Sequence, residues 1–165
     1  MMKVNTLGQF SGLSRYELWA SSWAERDNID IFSYMSAICK PEDCLLFCRL
    51  LFPDFFISQG AIFLNAKYDH EVFLVWLKKL DGDISAVEKI MNHTHMYDVF
   101  SGCTDEVDDV VFEQLADTIA FSWRLVLKDK FPGCNFSVEV SNSDQDYGPT
   151  VTFYQSIGYG EKRDR

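Results

Sequence analysis

The sequence predicts an α+β protein, a single domain in which an antiparallel sheet from two hairpins packs against several helices. Three observations lead there. Val110, Val111, Leu115, Ile119, Ser122, Trp123 and Val126 recur at helical spacing, with Phe112, Ala116, Ala120 and Leu127 widening the stripe, so one long helix has a broad buried face. After Phe131-Pro132-Gly133, Phe136, Val138 and Val140 alternate with polar residues, and Val151 and Phe153 do the same, the period of two strands with one buried face. Earlier, Phe55-Phe56-Ile57 and Ala61-Ile62-Phe63-Leu64 flank Ser58-Gln59-Gly60, which gives a first hairpin.

Taken in order, residues 1–13 carry Gly8, Ser11 and Gly12 and little pattern, and read as a loosely ordered arm. Ser14 and Glu17 fit a capping box for a helix that aligns Leu18, Trp19 and Trp23. Asn28 can cap a second helix through Ile29, Phe32, Met35 and Ile38, ending before Lys40, the residue that precedes Pro41. Pro41, Glu42 and Asp43 suit the first turn of a third helix, which Cys44, Leu45, Phe47, Cys48 and Leu51 make apolar enough to belong in the core. Asp69 caps a helix from His70 to Leu80, Asp81-Gly82-Asp83 is a turn, and a helix from Ile84 through Met91 frays over Asn92 to His95. Tyr97, Val99 and Phe100 form an apolar link without an assigned conformation. Thr104 and Asp105 are the candidate caps of the long helix, with Asp105, Glu106, Asp108 and Asp109 in its first turns and Lys128 and Lys130 near its end, matching the helix dipole. The loop from Asn142 to Pro149 is long for a hairpin, and residues 158–165 read as a flexible tail.

One domain over residues 1–165 is long enough to bury roughly 70% of its extended surface. Twenty-five acids against fifteen bases give a net charge of −10, which disfavours nucleic acid and anionic membranes as partners and favours a basic protein. Neither a signal peptide nor an apolar run of membrane-spanning length is evident, so a cytoplasmic location is expected. The odd count of five cysteines, Cys39, Cys44, Cys48, Cys103 and Cys134, has no regular spacing and reads as reduced core residues.

No catalytic motif is present: a nucleophile elbow, a phosphate loop and a dinucleotide fingerprint are all missing. The most site-like string is Asn92-His93-Thr94-His95, whose imidazoles could share a metal, with Asp98, Cys103 or His70 completing the set. Histidines at a fraying helix end more often cap carbonyls or face solvent, so no metal and no cofactor are expected. Turn and cap chemistry accounts for the paired carboxylates. A binding surface requires less. Asp105, Glu106, Asp108, Asp109 and Glu113 could form a negative stripe, with Asp117 a turn further on, and Asp144, Asp146 and Tyr147 an acidic aromatic loop.

From Leu115 to Gln155, with Trp123, Phe131-Pro132-Gly133, Phe136 to Val140 and Tyr147-Gly148-Pro149-Thr150-Val151-Thr152-Phe153-Tyr154-Gln155, the chain resembles small, acidic, uncharacterised bacterial proteins. Some of these resemble immunity proteins of contact-dependent inhibition and other toxin systems, which bind and block a cognate toxin domain, often a nuclease. The resemblance covers about the last third and carries over no site residue. It implies a non-catalytic toxin inhibitor that neutralises a basic toxin domain through its acidic surface. The alternatives are a small-ligand or metal-dependent enzyme using His93 and His95, and a structural or regulatory interaction protein.

Overall fold

Local signals decide most of the elements. The computed structural model describes residues 2, 4–25, 28–103, 105–142 and 147–156. Three helices come first: α1 (Ser14–Ser21), α2 (Ile31–Ile38) and α3 (Pro41–Leu51). The first two begin differently from the sequence expectation. No side chain caps α1, whose N-cap position is Leu13. Gly12 turns the chain at φ +71°, and the Ser14 N–H donates to its carbonyl. At α2 the cap is Asp30 instead of Asn28, in a reciprocal box with Ser33. Pro41 opens α3 as expected.

The strands β1 (Phe55–Ser58) and β2 (Ala61–Leu64) form the first hairpin in the register Ser58 opposite Ala61. Its two loop residues, Gln59 and Gly60, have φ of +50° and +80°, the positive pair that matches the right-handed twist of the flanking strands. A 3-10 turn (Asn65–Lys67) leads to α4 (His70–Lys79), capped by Asp69, and α5 (Ile84–Met91), capped by Asp83. The Asp69 cap agrees with the sequence reading, whereas Asp83, expected only as part of a turn, also caps the helix that follows.

After α5 the chain does not fray. Asn92 is fully buried, Thr94–His95 form a short strand β3, and Met96–Val99 form a helical turn α6. The reason is tertiary: β3 pairs with the later strand β5 (Thr150–Gln155), Thr94 opposite Val151. The long helix α7 (Asp109–Lys130) starts later than its acidic run suggested, because Asp108 is its cap and accepts the Val110 N–H at 3.1 Å. Asp105 and Glu106 precede the helix, and Thr104 lies outside the described residues. From the Phe131 to Gly133 break the chain enters β4 (Phe136–Ser141), which pairs with β5.

Two small antiparallel sheets result, β1-β2 and β3-β5-β4, within an α+β domain. The hairpins do not join strand to strand. Instead β2 and β5 face each other across side chains of α5. One core lies under α7, where Ile119, Trp123 and Leu127 meet Val151, Phe153, Ile62 and Leu64. The other lies under α4 and α5, where Phe73, Val87 and Met91 meet Ala61 and Phe63. Thus β2 is buried on both faces, and so is β5, contrary to the one-sided pattern read from its alternation. Thr150 and Thr152 are covered as well, Thr152 Oγ1 donating to the Lys89 carbonyl at 2.8 Å.

The third helix is not a core helix. Leu50 and Leu51 pack on the first core, but Leu45 and Leu46 are 72% and 70% exposed. It is an outer helix covered on one stripe, tied to α7 where Trp123 Nε1 and Ser122 Oγ donate to the carbonyls of Leu50 and Leu51. The cysteines are not core residues either: Cys48 and Cys103 are exposed, the other three are partly covered, and all five are free thiols. Among the described residues no helix is long and apolar enough to cross a membrane.

Candidate functional site

The start of α7 and the corner between β3 and α6 are brought together by Tyr97, which lies in the apolar link that sequence alone does not assign to an element. Its hydroxyl donates to Asp109 Oδ1 at 2.6 Å, its ring meets Tyr147 edge-on at 5.5 Å, and Phe112 packs on it at 4.9 Å. The bond to Asp109 is the largest cause that raises the Tyr97 pKa, followed by burial and the charges of Asp109, Glu113 and Tyr147. A phenol that must stay protonated here serves as a donor holding one carboxylate in place. Asp109 and Tyr147 therefore contact a single side chain, and Glu113 is near enough for its charge to act on it.

Tyr147 reaches this point because its loop end is held from three directions. The Met96 N–H donates to the Pro149 carbonyl at 2.9 Å, and the Tyr147 carbonyl lies 3.2 Å from His95 Nδ1. Gly148 adopts φ +76° against the Tyr97 ring, where an added Cβ would come within 2.5 Å of ring carbons. Only a residue without a side chain fits that approach. Tyr147 itself is 70% exposed, so its ring is anchored at one edge and open to solvent.

The other expected binding residues are placed separately. Asp105 pairs with Arg15 of α1 at 3.1 Å, Asp108 is committed to capping, and Glu106 is exposed. Asp144 and Asp146 lie outside the described residues. The Arg15 contact, together with the bonds between Ser11 and the Gln114 amide, ties the N-terminal segment to the acidic end of α7. The helices of that segment also expose large apolar side chains: Leu18, one turn from Arg15, Ile31, Phe32, Met35 and Ile38 of α2, and Leu45 and Leu46 of α3.

His93 and His95 sit with ring centroids 4.6 Å apart. Among the described residues no group of three or more histidine, cysteine, aspartate or glutamate side chains is arranged to hold a metal. No signal in the sequence marked Tyr97, because its role depends on a chain reversal that brings residue 147 back to it. The Gly148-Pro149 pair hinted at a turn, not at its contact.

No family model matches this chain, and no curated protein or solved structure matches it either.

Proposed function

We propose that the chain is a non-catalytic binding protein that captures a basic protein partner on its acidic, tyrosine-bearing surface. The observation that carries this reading is the gathering of Asp109, Glu113 and Tyr147 around Tyr97, with exposed Glu106 nearby in sequence. A tyrosine ring fixed at one edge and open at the other offers contact area at low entropic cost, and carboxylates beside it steer a basic partner. The net charge of −10 adds long-range attraction of the same sign. The resemblance of the last third to small, acidic bacterial proteins, some of which resemble immunity proteins, makes a cognate toxin domain the partner of choice, met in the cytoplasm.

The test is a pull-down from the native host followed by binding kinetics at two salt concentrations. Higher salt is expected to slow association far more than it speeds dissociation. Glu106→Gln with Glu113→Gln should lower the on-rate, and Tyr147→Ala should raise the off-rate, with the fold intact in both. An acidic partner, a nucleic acid, or binding indifferent to salt and to these side chains overturns the proposal.

A further inference from the structure

On the other side of the β3–α6 corner, between it, the end of α3, the 3-10 turn and α7, lies a cavity of about 710 Å³. Sites for small organic ligands span roughly 300 to 1,000 Å³. The walls are fixed to one another. Trp123 Nε1 and Ser122 Oγ hold the end of α3 at 2.8 and 2.6 Å, and the Asn65 N–H holds the Asp54 carbonyl at 2.9 Å. Leu50, Pro53, Leu64, Val99 and Trp123 give the cavity an apolar lining.

Its charged lining groups are of both signs. Arg49 and Asp54 pair with each other at 3.0 Å, and so are occupied. Lys67 Nζ donates to the His93 carbonyl and, at 3.2 Å, to Thr94 Oγ1, which uses two of the three N–H groups of an ammonium. Asp98, also on the lining, is close enough to favour the charged form of Lys67 against the desolvation that pulls its pKa down. What remains for a ligand is one ammonium and one carboxylate, with the His95 imidazole also on an otherwise largely apolar lining. A simple anion would leave Asp98 facing it unpaired, and a simple cation would do the same to Lys67.

We propose that this cavity binds a free α-amino acid with a large apolar side chain, its carboxylate on Lys67, its ammonium on Asp98 and its side chain over Leu50, Pro53 and Val99. The site adjoins the tyrosine corner through His95, which lines the cavity and faces the Tyr147 carbonyl, but its occupancy does not depend on a protein partner.

Calorimetric titration with amide-shift mapping tests it using L-phenylalanine, L-phenylalaninamide, which lacks the carboxylate, and 3-phenylpropionate, which lacks the ammonium. L-phenylalanine is expected to saturate one site per chain and to shift amides on the 3-10 turn, β3 and α6. Each of the two truncated ligands is expected to bind about tenfold more weakly or worse. Lys67→Met should erase the preference over the amide, and Asp98→Asn the preference over 3-phenylpropionate, each leaving the other preference in place. Lack of saturable binding by L-phenylalanine, L-leucine and L-tryptophan at millimolar concentration overturns the proposal. So do equal affinities across the series, or preferences that survive both variants. If a variant fails to fold, the three ligands on the unaltered chain decide the question.

Discussion

Glu88 on α5 and Asn92 at its C-cap, one turn apart, close with their side chains the edge of β2 and the part of the β5 margin that β3 leaves open. Asn92 accepts the Leu64 N–H at 2.9 Å and donates to the carbonyls of Ile62 and Phe153 at 2.9 and 3.2 Å. Glu88 accepts from the Ile62 N–H, the Gln155 N–H and the Gln155 amide at 2.6 to 2.7 Å. Neither residue is exposed. Asn92→Ala would strand three buried backbone groups, each worth about 1 to 3 kcal/mol when unsatisfied. After partial relaxation a loss of about 3 kcal/mol in urea unfolding is expected, and a midpoint within error of the parent would refute the bridging role.

The Glu88 carboxyl gives a pH dependence. Burial, the largest cause, holds its pKa above the ordinary glutamate value, against the lowering effect of its three N–H donors. Between the ordinary and the raised value the native state keeps a proton that the unfolded chain has released. The native state then binds more protons, so the stability contributed by this group is present at lower pH and lost as pH rises through that window. Glu88→Gln removes the titration. The unfolding free energy of the parent relative to Glu88→Gln should fall from acidic to neutral pH, and a difference that grows would contradict the assignment.

Trp123 is fully buried and packs edge-on against Phe153 at 5.7 Å. Trp123→Ala creates a cavity in the first core and leaves the Leu50 carbonyl without its donor. A loss of about 3 to 5 kcal/mol is expected from the cavity. Denaturant unfolding measures it, and a loss under 1 kcal/mol, by the usual scale of surface substitutions, would place Trp123 outside the core.

Gly148→Ala combines an unfavourable φ with a collision against the Tyr97 ring. The ring must move, and with it the bond to Asp109 and the contact with Tyr147. A destabilisation of about 1 to 3 kcal/mol is expected. Partner binding should weaken more than in Glu113→Gln alone, because the tyrosine anchor and a carboxylate shift together. Equal binding by Gly148→Ala and the parent would separate the tyrosine pair from the interface.

Much of this architecture was legible because it is written in short-range chemistry. Asp69 is a helix cap, Ser58-Gln59-Gly60 and Asp81-Gly82-Asp83 carry turns, and the spacing around Trp123 marks a buried helix face. What escaped depends on residues far apart in the chain. Thr94 and His95 are extended only because residues 150 and 151 lie beside them. The apolar circumference of α3 resembles a core helix, yet composition cannot say which face meets α7 and which meets solvent. Of the expected binding residues, Asp109 and Tyr147 were legible as an acid and an exposed aromatic, while their meeting at Tyr97 required the hairpin to return.

The side-chain closure by α5 also bears on how copies of this chain behave in a crowded solution. The N–H groups of Ile62 and Leu64, and the Phe153 carbonyl with the Gln155 N–H, are groups on which a foreign strand could template. With Glu88 and Asn92 seated there, neither sheet can lengthen on that side, and the short sheets stay short. Removing either plug exposes an unpaired strand margin rich in Ile, Phe and Val. The chains that lose it should gather into β-rich fibrils before the helices around them have melted.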